Sequence, residues 1–117
     1  MSAAGAADFA RDWIAAWNSA DIERILSHYA SDIVMHSPIA AQRLGSGTVN
    51  GRDALRAYWT AALAQNPELH FERVETLTGH QSLTLLYKNQ LGGLVAETLE
   101  FGDDGKARRA YACYAGG

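Results

Sequence analysis

The chain has 117 residues, 48% of them apolar and 20% charged, with a formal net charge of −3. That is one ordinary domain, 1–117, with enough apolar material for a single core, and it excludes a disordered chain. A weakly acidic balance offers no field for nucleic acid or an anionic membrane, and the adjacent pair Arg108-Arg109 reads as a solvated strand face.

One cysteine, Cys113, excludes an internal disulfide and a cysteine zinc site. The first residues, MSAAGAADFARDW, lack a basic head followed by an apolar run, and no apolar stretch approaches the ~20 residues of a membrane span. The expectation is a cytoplasmic protein without nucleic-acid or membrane partners.

Phe9, Trp13, Ile14 and Trp17 recur at helical spacing and predict an amphipathic helix over 6–18. Asn18, Ser19 and Asp21 interrupt it and supply an N-cap for a second short helix that buries Ile22, Ile25, Leu26 and Tyr29. SDIVMHSPIA, residues 31–40, starts as a buried strand in Ile33, Val34 and Met35. It then turns polar at His36 and Ser37 before Pro38 breaks it, and polar groups at the end of an apolar strand need a partner. AQRLGSGTVNG, 41–51, reads as a flexible loop. A third helix is predicted from Arg52 to Gln65, with Leu55, Tyr58, Trp59, Ala62 and Leu63 inward, ended by Asn66-Pro67.

Beyond Pro67 the period changes to two. LHFERVETLTG, SLTLLYKNQ, LVAETLEF and KARRAYACYA read as four strands joined by hairpin chemistry at Gly79-His80, 90–93 and 102–105. Helices followed by an antiparallel meander predict an α+β fold with helices covering one face of a curved sheet.

Alternation places Leu83, Leu85, Tyr87 and Asn89 on one face, and Val95, Glu97, Leu99 and Phe101 on the matching face of the next strand. The inward faces therefore carry a carboxylate, a phenol and an amide. Glu97 is the most unexpected, because a Glu between Val95, Leu99 and Phe101 is rarely buried without a partner. One reading makes it the structural partner of Tyr87 or Asn89; the other makes it an acid in a site. Trp59 and Tyr114 divide in the same way between core and ligand contact. The four histidines show no close ligand spacing, so neither metal nor cofactor is expected. Cys113 falls on the face opposite Tyr114 and is no nucleophile candidate.

WIAAWNSADIERILSHYASDIVMHSP, GRDALRAYWTAAL and AETLEFGDDGKARRAYACY together resemble the SnoaL-like, nuclear transport factor 2-like superfamily. The resemblance covers nearly the whole chain. It implies a cone-shaped half-barrel, an apolar pocket between sheet and helices, and a dimer through the outer sheet face. It leaves the chemistry open, since the scaffold hosts isomerases, cyclases, epoxide hydrolases and dehydratases. The ketosteroid isomerase pattern, carried over residue by residue, puts Ser37 where that family has its base. It puts Trp13 at the position of the helix tyrosine, and Glu97 where a protonated Asp donates to the oxyanion. With two of three positions replaced, steroid isomerisation is not expected.

The expectation is a pocket for a hydrophobic, cyclic small molecule, with Glu97 as acid/base. Trp13, Met35, Ser37, Trp59, Tyr87, Asn89 and Tyr114 are the expected ligand contacts. Isomerase, lyase or cyclase, and hydrolase are the reaction classes; the alternative is a non-catalytic ligand-binding or protein-interaction module. Leu86, Leu94, Ala96 and Thr98 form the mixed apolar face expected to pair two copies into a homodimer.

Overall fold

Ser2 starts the first helix: its hydroxyl accepts the Gly5 N–H at 3.0 Å. The computed structural model describes residues 2–116. Its four helices are α1 (Ala3–Asn18), α2 (Ile22–Leu26), α3 (Pro38–Leu44) and α4 (Arg52–Gln65). Its six strands are β1 (Tyr29–His36), β2 (Thr48–Asn50), β3 (Glu72–Gly79), β4 (Ser82–Lys88), β5 (Leu94–Phe101) and β6 (Ala107–Tyr114). They form one open sheet in the order β2-β1-β6-β5-β4-β3. Every neighbouring pair is antiparallel except β1 and β6, which run parallel. This is the expected α+β fold.

Register shifts interrupt the ladders between Tyr29 and Val34, between Arg73 and Glu75, and between Glu100 and Phe101. Such bulges bend a strand and increase its twist, which curves the sheet toward the helices. The inner face then meets α1 and α4. Trp13, Tyr29, Ile33, Leu55, Leu83, Leu85, Tyr87 and Leu99 are all buried in one core cluster.

Two expectations need correction. Tyr29 does not extend the second helix. That helix stops at Leu26 with Ser27 as its C-cap, and Tyr29 begins β1 paired opposite Ala107. The segment 41–51 is not a continuous loop, because it contains most of α3 and the whole of β2. Ser37 caps α3 by accepting from the N–H groups of Ile39 (3.2 Å) and Ala40 (3.4 Å), and Pro38 occupies the first turn, where no N–H is needed. Gly45 closes the helix at φ 76°, a left-handed conformation that favours glycine. β2 then pairs with β1 through Met35↔Val49 and His36↔Thr48.

Because Ser37 holds the start of a seven-residue helix, Ser37→Ala should lower the stability of the protein by about 1 kcal/mol. Urea unfolding of the two proteins measures this; an unchanged midpoint would mean that Pro38 and Gly45 hold α3 without the cap.

Candidate functional site

β5 lies between β4 and β6, so its inner face sits at the middle of the curved sheet. Glu97 points there, opposite Leu85 of β4 and Ala112 of β6, with Val95 and Leu99 before and after it on the same face. It is 9% exposed. The Tyr87 hydroxyl donates to Glu97 Oε1 at 2.9 Å. Of the two structural partners considered from sequence, Tyr87 is therefore the one. Asn89 instead folds the β4–β5 turn: its Oδ1 accepts from Leu91 N (3.0 Å) and Gly93 N (2.9 Å).

Burial raises the Glu97 carboxyl from its ordinary 4.5 to about 7, and the Tyr87 hydrogen bond opposes that rise without cancelling it. The charged and neutral forms are then both populated near neutral pH. In the neutral form Tyr87 occupies Oε1, which leaves Oε2 to carry the proton. Burial, and then the Glu97 charge, push the phenols of Tyr87, Tyr29 and Tyr114 above their usual range. All three stay neutral hydroxyls at any physiological pH.

Beside this pair lies a cavity of about 240 Å³. Its buried lining is Trp17, Trp59, Tyr87, Val95 and Glu97, and its exposed end carries Arg43, Gln90 and Leu91. Tyr58, Asn66, Leu69, Phe71, Asn89 and Tyr114 stand between. Glu97 is the one carboxyl in that lining among the described residues. The buried Trp17 Nε1–H has no acceptor among the described residues. No three His, Cys, Asp or Glu side chains among the described residues are grouped to hold a metal ion.

Five of the residues expected from sequence come together here: Trp59, Tyr87, Asn89, Glu97 and Tyr114. Trp13, Met35 and Ser37 are not in the lining. Trp13 is fully buried and donates its Nε1–H to the Tyr29 hydroxyl at 2.9 Å, so it is unavailable to a ligand oxygen. Met35 packs in the core and pairs with Val49 and Ala110 on the flanking strands. Ser37 is the helix cap, and it reaches the cavity only through Tyr58 and Tyr114, whose phenols its hydroxyl lowers against the effect of burial.

Sequence reasoning missed Trp17 and Arg43. Trp17 is one helical turn beyond Trp13, so spacing could not tell which indole had a protein partner. Arg43 belongs to α3, in the segment read as loop. His36 faces the outer side of the sheet, stacked on Tyr111 with ring centroids 5.0 Å apart.

The architecture agrees with known proteins. The SnoaL-like domain model matches residues 10–110. A crystal structure of a SnoaL-like protein of unknown function from Burkholderia thailandensis is 42% identical, with a TM-score of 0.96 and 98% of each chain covered. A cystatin-like-fold protein of unknown function from Methylobium petroleophilum is 18% identical, with a TM-score of 0.80 over 100% of this chain and 80% of its own. A candidate isomerase of the SnoaL-like family from Agrobacterium tumefaciens, also 18% identical, superposes with a TM-score of 0.75 over 95% and 97% of the two chains. No curated protein matches the sequence. The domain match across most of the chain, together with the 42% identity to a solved SnoaL-like protein, makes this chain a member of the SnoaL-like family.

Proposed function

We propose that the cavity binds a cyclic small molecule and that Glu97 moves a proton on it. The observation that carries this reading is one buried carboxyl, bonded to Tyr87 at 2.9 Å and raised to about 7, in the wall of a 240 Å³ cavity. A general acid or base works best when its pKa lies near the working pH. Burial does that here.

The size of the cavity bounds the ligand. A cavity of about 150 Å³ holds benzene, so 240 Å³ suits a substituted ring or a small two-ring compound. A four-ring steroid would not be enclosed. In the ionised form, Glu97 takes a proton from carbon beside a ring carbonyl. The neutral Tyr114 hydroxyl, in the same lining, donates to the oxygen that gains charge. With no second carboxyl in the lining, Glu97 must also return the proton, either to a neighbouring carbon (isomerisation) or after ring closure or elimination. The candidate-isomerase relative from Agrobacterium tumefaciens fits the first of these. Hydrolysis is less suited, because the buried lining provides no second base to activate water.

The outer sheet face supports a homodimer. Leu86 pairs across β4–β5 with Ala96, and Thr84 with Thr98, whose hydroxyls bond at 2.9 Å. Leu94 beside them is 41% exposed, and Leu77 on β3 is 52% exposed. A second copy covers this patch. Sedimentation at high micromolar protein should give twice the chain mass; a 12.7 kDa species would refute the dimer.

The proton-transfer reading is tested by incubating a panel of cyclic ketones with the protein in heavy water and following deuterium uptake by NMR. Uptake should fall at least about 100-fold in Glu97→Gln, the contribution of a positioned acid or base. Ketone binding without any uptake would leave the non-catalytic alternative in its place.

The raised carboxyl also has a consequence for stability. Glu97 ionises near 4.5 when unfolded and at about 7 when folded. Between those values the folded protein keeps a proton that the unfolded chain has lost. The contribution is therefore fully present below pH 4.5 and is lost as pH rises through about 7, on the order of 3 kcal/mol in all. Glu97→Gln keeps an acceptor for Tyr87 and should flatten this slope, gaining on the wild type as pH rises. Urea midpoints across that range check it, and an unaltered slope would assign the pH dependence to other groups.

A further inference from the structure

Resting on the cavity as the ligand site, we infer that its occupant is an anion: a ring carboxylate bearing an oxo or hydroxyl group on the opposite side, with Arg43 selecting the carboxylate. Arg43 stands in the last turn of α3 at the exposed end of the cavity. One of its guanidinium nitrogens donates to Gln65 Oε1 at the end of α4, so the group is held between the two helices, and no carboxylate among the described residues pairs with its other N–H donors.

That state is unusual for an arginine of this protein. Arg11, Arg24, Arg56, Arg73, Arg108 and Arg109 each have a carboxylate within 4.0 Å. Arg52 donates to the Tyr29 carbonyl at 3.2 Å. Among the described residues, Arg43 and Arg52 are the two arginines without a carboxylate within 4.0 Å, and of the two only Arg43 lines the cavity. Its charge acts inward, lowering the phenols of Tyr58 and Tyr114 against the effect of burial.

The cavity is thus polar at both ends with aromatic walls between. A fixed cation marks the open end. At the closed end is a carboxyl that is neutral below about pH 7, beside the Tyr87 hydroxyl that donates to it. A neutral apolar ring would satisfy neither end. A carboxylate at Arg43 accepts the charged donors left over from Gln65, and an oxygen across the ring accepts from the protonated Glu97. The volume admits one substituted ring between them.

The test uses para-hydroxybenzoate and its neutral isostere para-hydroxybenzamide, titrated into the full-length protein and followed by tryptophan fluorescence and calorimetry. The acid should bind about fivefold more tightly at low salt, the upper range for a solvent-screened ion pair. That preference should shrink at high salt. It should survive in Arg43→Lys and vanish in Arg43→Gln, with thermal unfolding confirming that both variants fold. Equal binding of acid and amide, or a preference that Arg43→Gln leaves intact, overturns the anion inference while the cavity reading stands. Binding of neither compound at millimolar concentration also overturns it. Deuterium exchange on neutral ketones judges Glu97 separately, so the two failures are distinguishable.

Discussion

The bond from Trp13 Nε1–H to the Tyr29 hydroxyl, 2.9 Å long between two fully buried side chains, sets the arrangement of the core. Each group would be costly to bury alone, and together they tie the middle of α1 to the start of β1. The rings that this bond orients then pack outward from it. Trp13 lies 5.4 Å from Tyr87 and is stacked with Phe71 at 5.9 Å, while Tyr29 meets Trp59 edge-on at 5.1 Å. Trp17 closes the group against Trp59 at 4.9 Å. Tyr87 is therefore fixed from above by α1 and along its edge by Glu97. The space left over lies on the Trp17 side, which is why the cavity has Trp17 rather than Trp13 in its wall.

Glu97 is held inside by the sheet itself. Moving it outward would require a one-residue slip of β5, which would expose Val95, Leu99 and Phe101 on the wrong side and break two ladders at once. The fold tolerates an acid there because Tyr87 satisfies one oxygen and because the carboxyl can stay protonated. A local rule broken at one position, and compensated by a single hydroxyl, is the pattern expected of a position kept for chemistry rather than packing.

Much of this was legible in the sequence where the periodicity was long. The inward parity of β4 and β5 and the burial of Glu97 follow from residue spacing, and the limits of α4 from its spacing together with the Asn66-Pro67 breaker. Short elements were not legible by period: α3 has seven residues and β2 only three. Their signals were chemical instead, with Ser37-Pro38 starting a helix and Gly45 ending it. Missing α3 hid Arg43. Placing Tyr29 in a helix hid the acceptor that takes up Trp13, and that in turn misdirected the choice between two tryptophans one turn apart.

The fate of Ser37 connects these points. In the ketosteroid isomerase pattern that position carries the base, at the end of a strand and facing the pocket. Here the Ser37 hydroxyl is turned onto the backbone of α3, where it accepts from the N–H groups of Ile39 and Ala40. The helix so anchored carries Arg43 to the cavity's open end, across from Tyr58 and Tyr114. The exchange therefore does more than delete a base. It leaves a single carboxyl in the cavity's lining among the described residues, Glu97, whose neutral form is compatible with an anion in the same space. With the base position filled by a helix cap, the cavity's lining holds one carboxyl, Glu97, and one arginine, Arg43, among the described residues, on a backbone that the family shares.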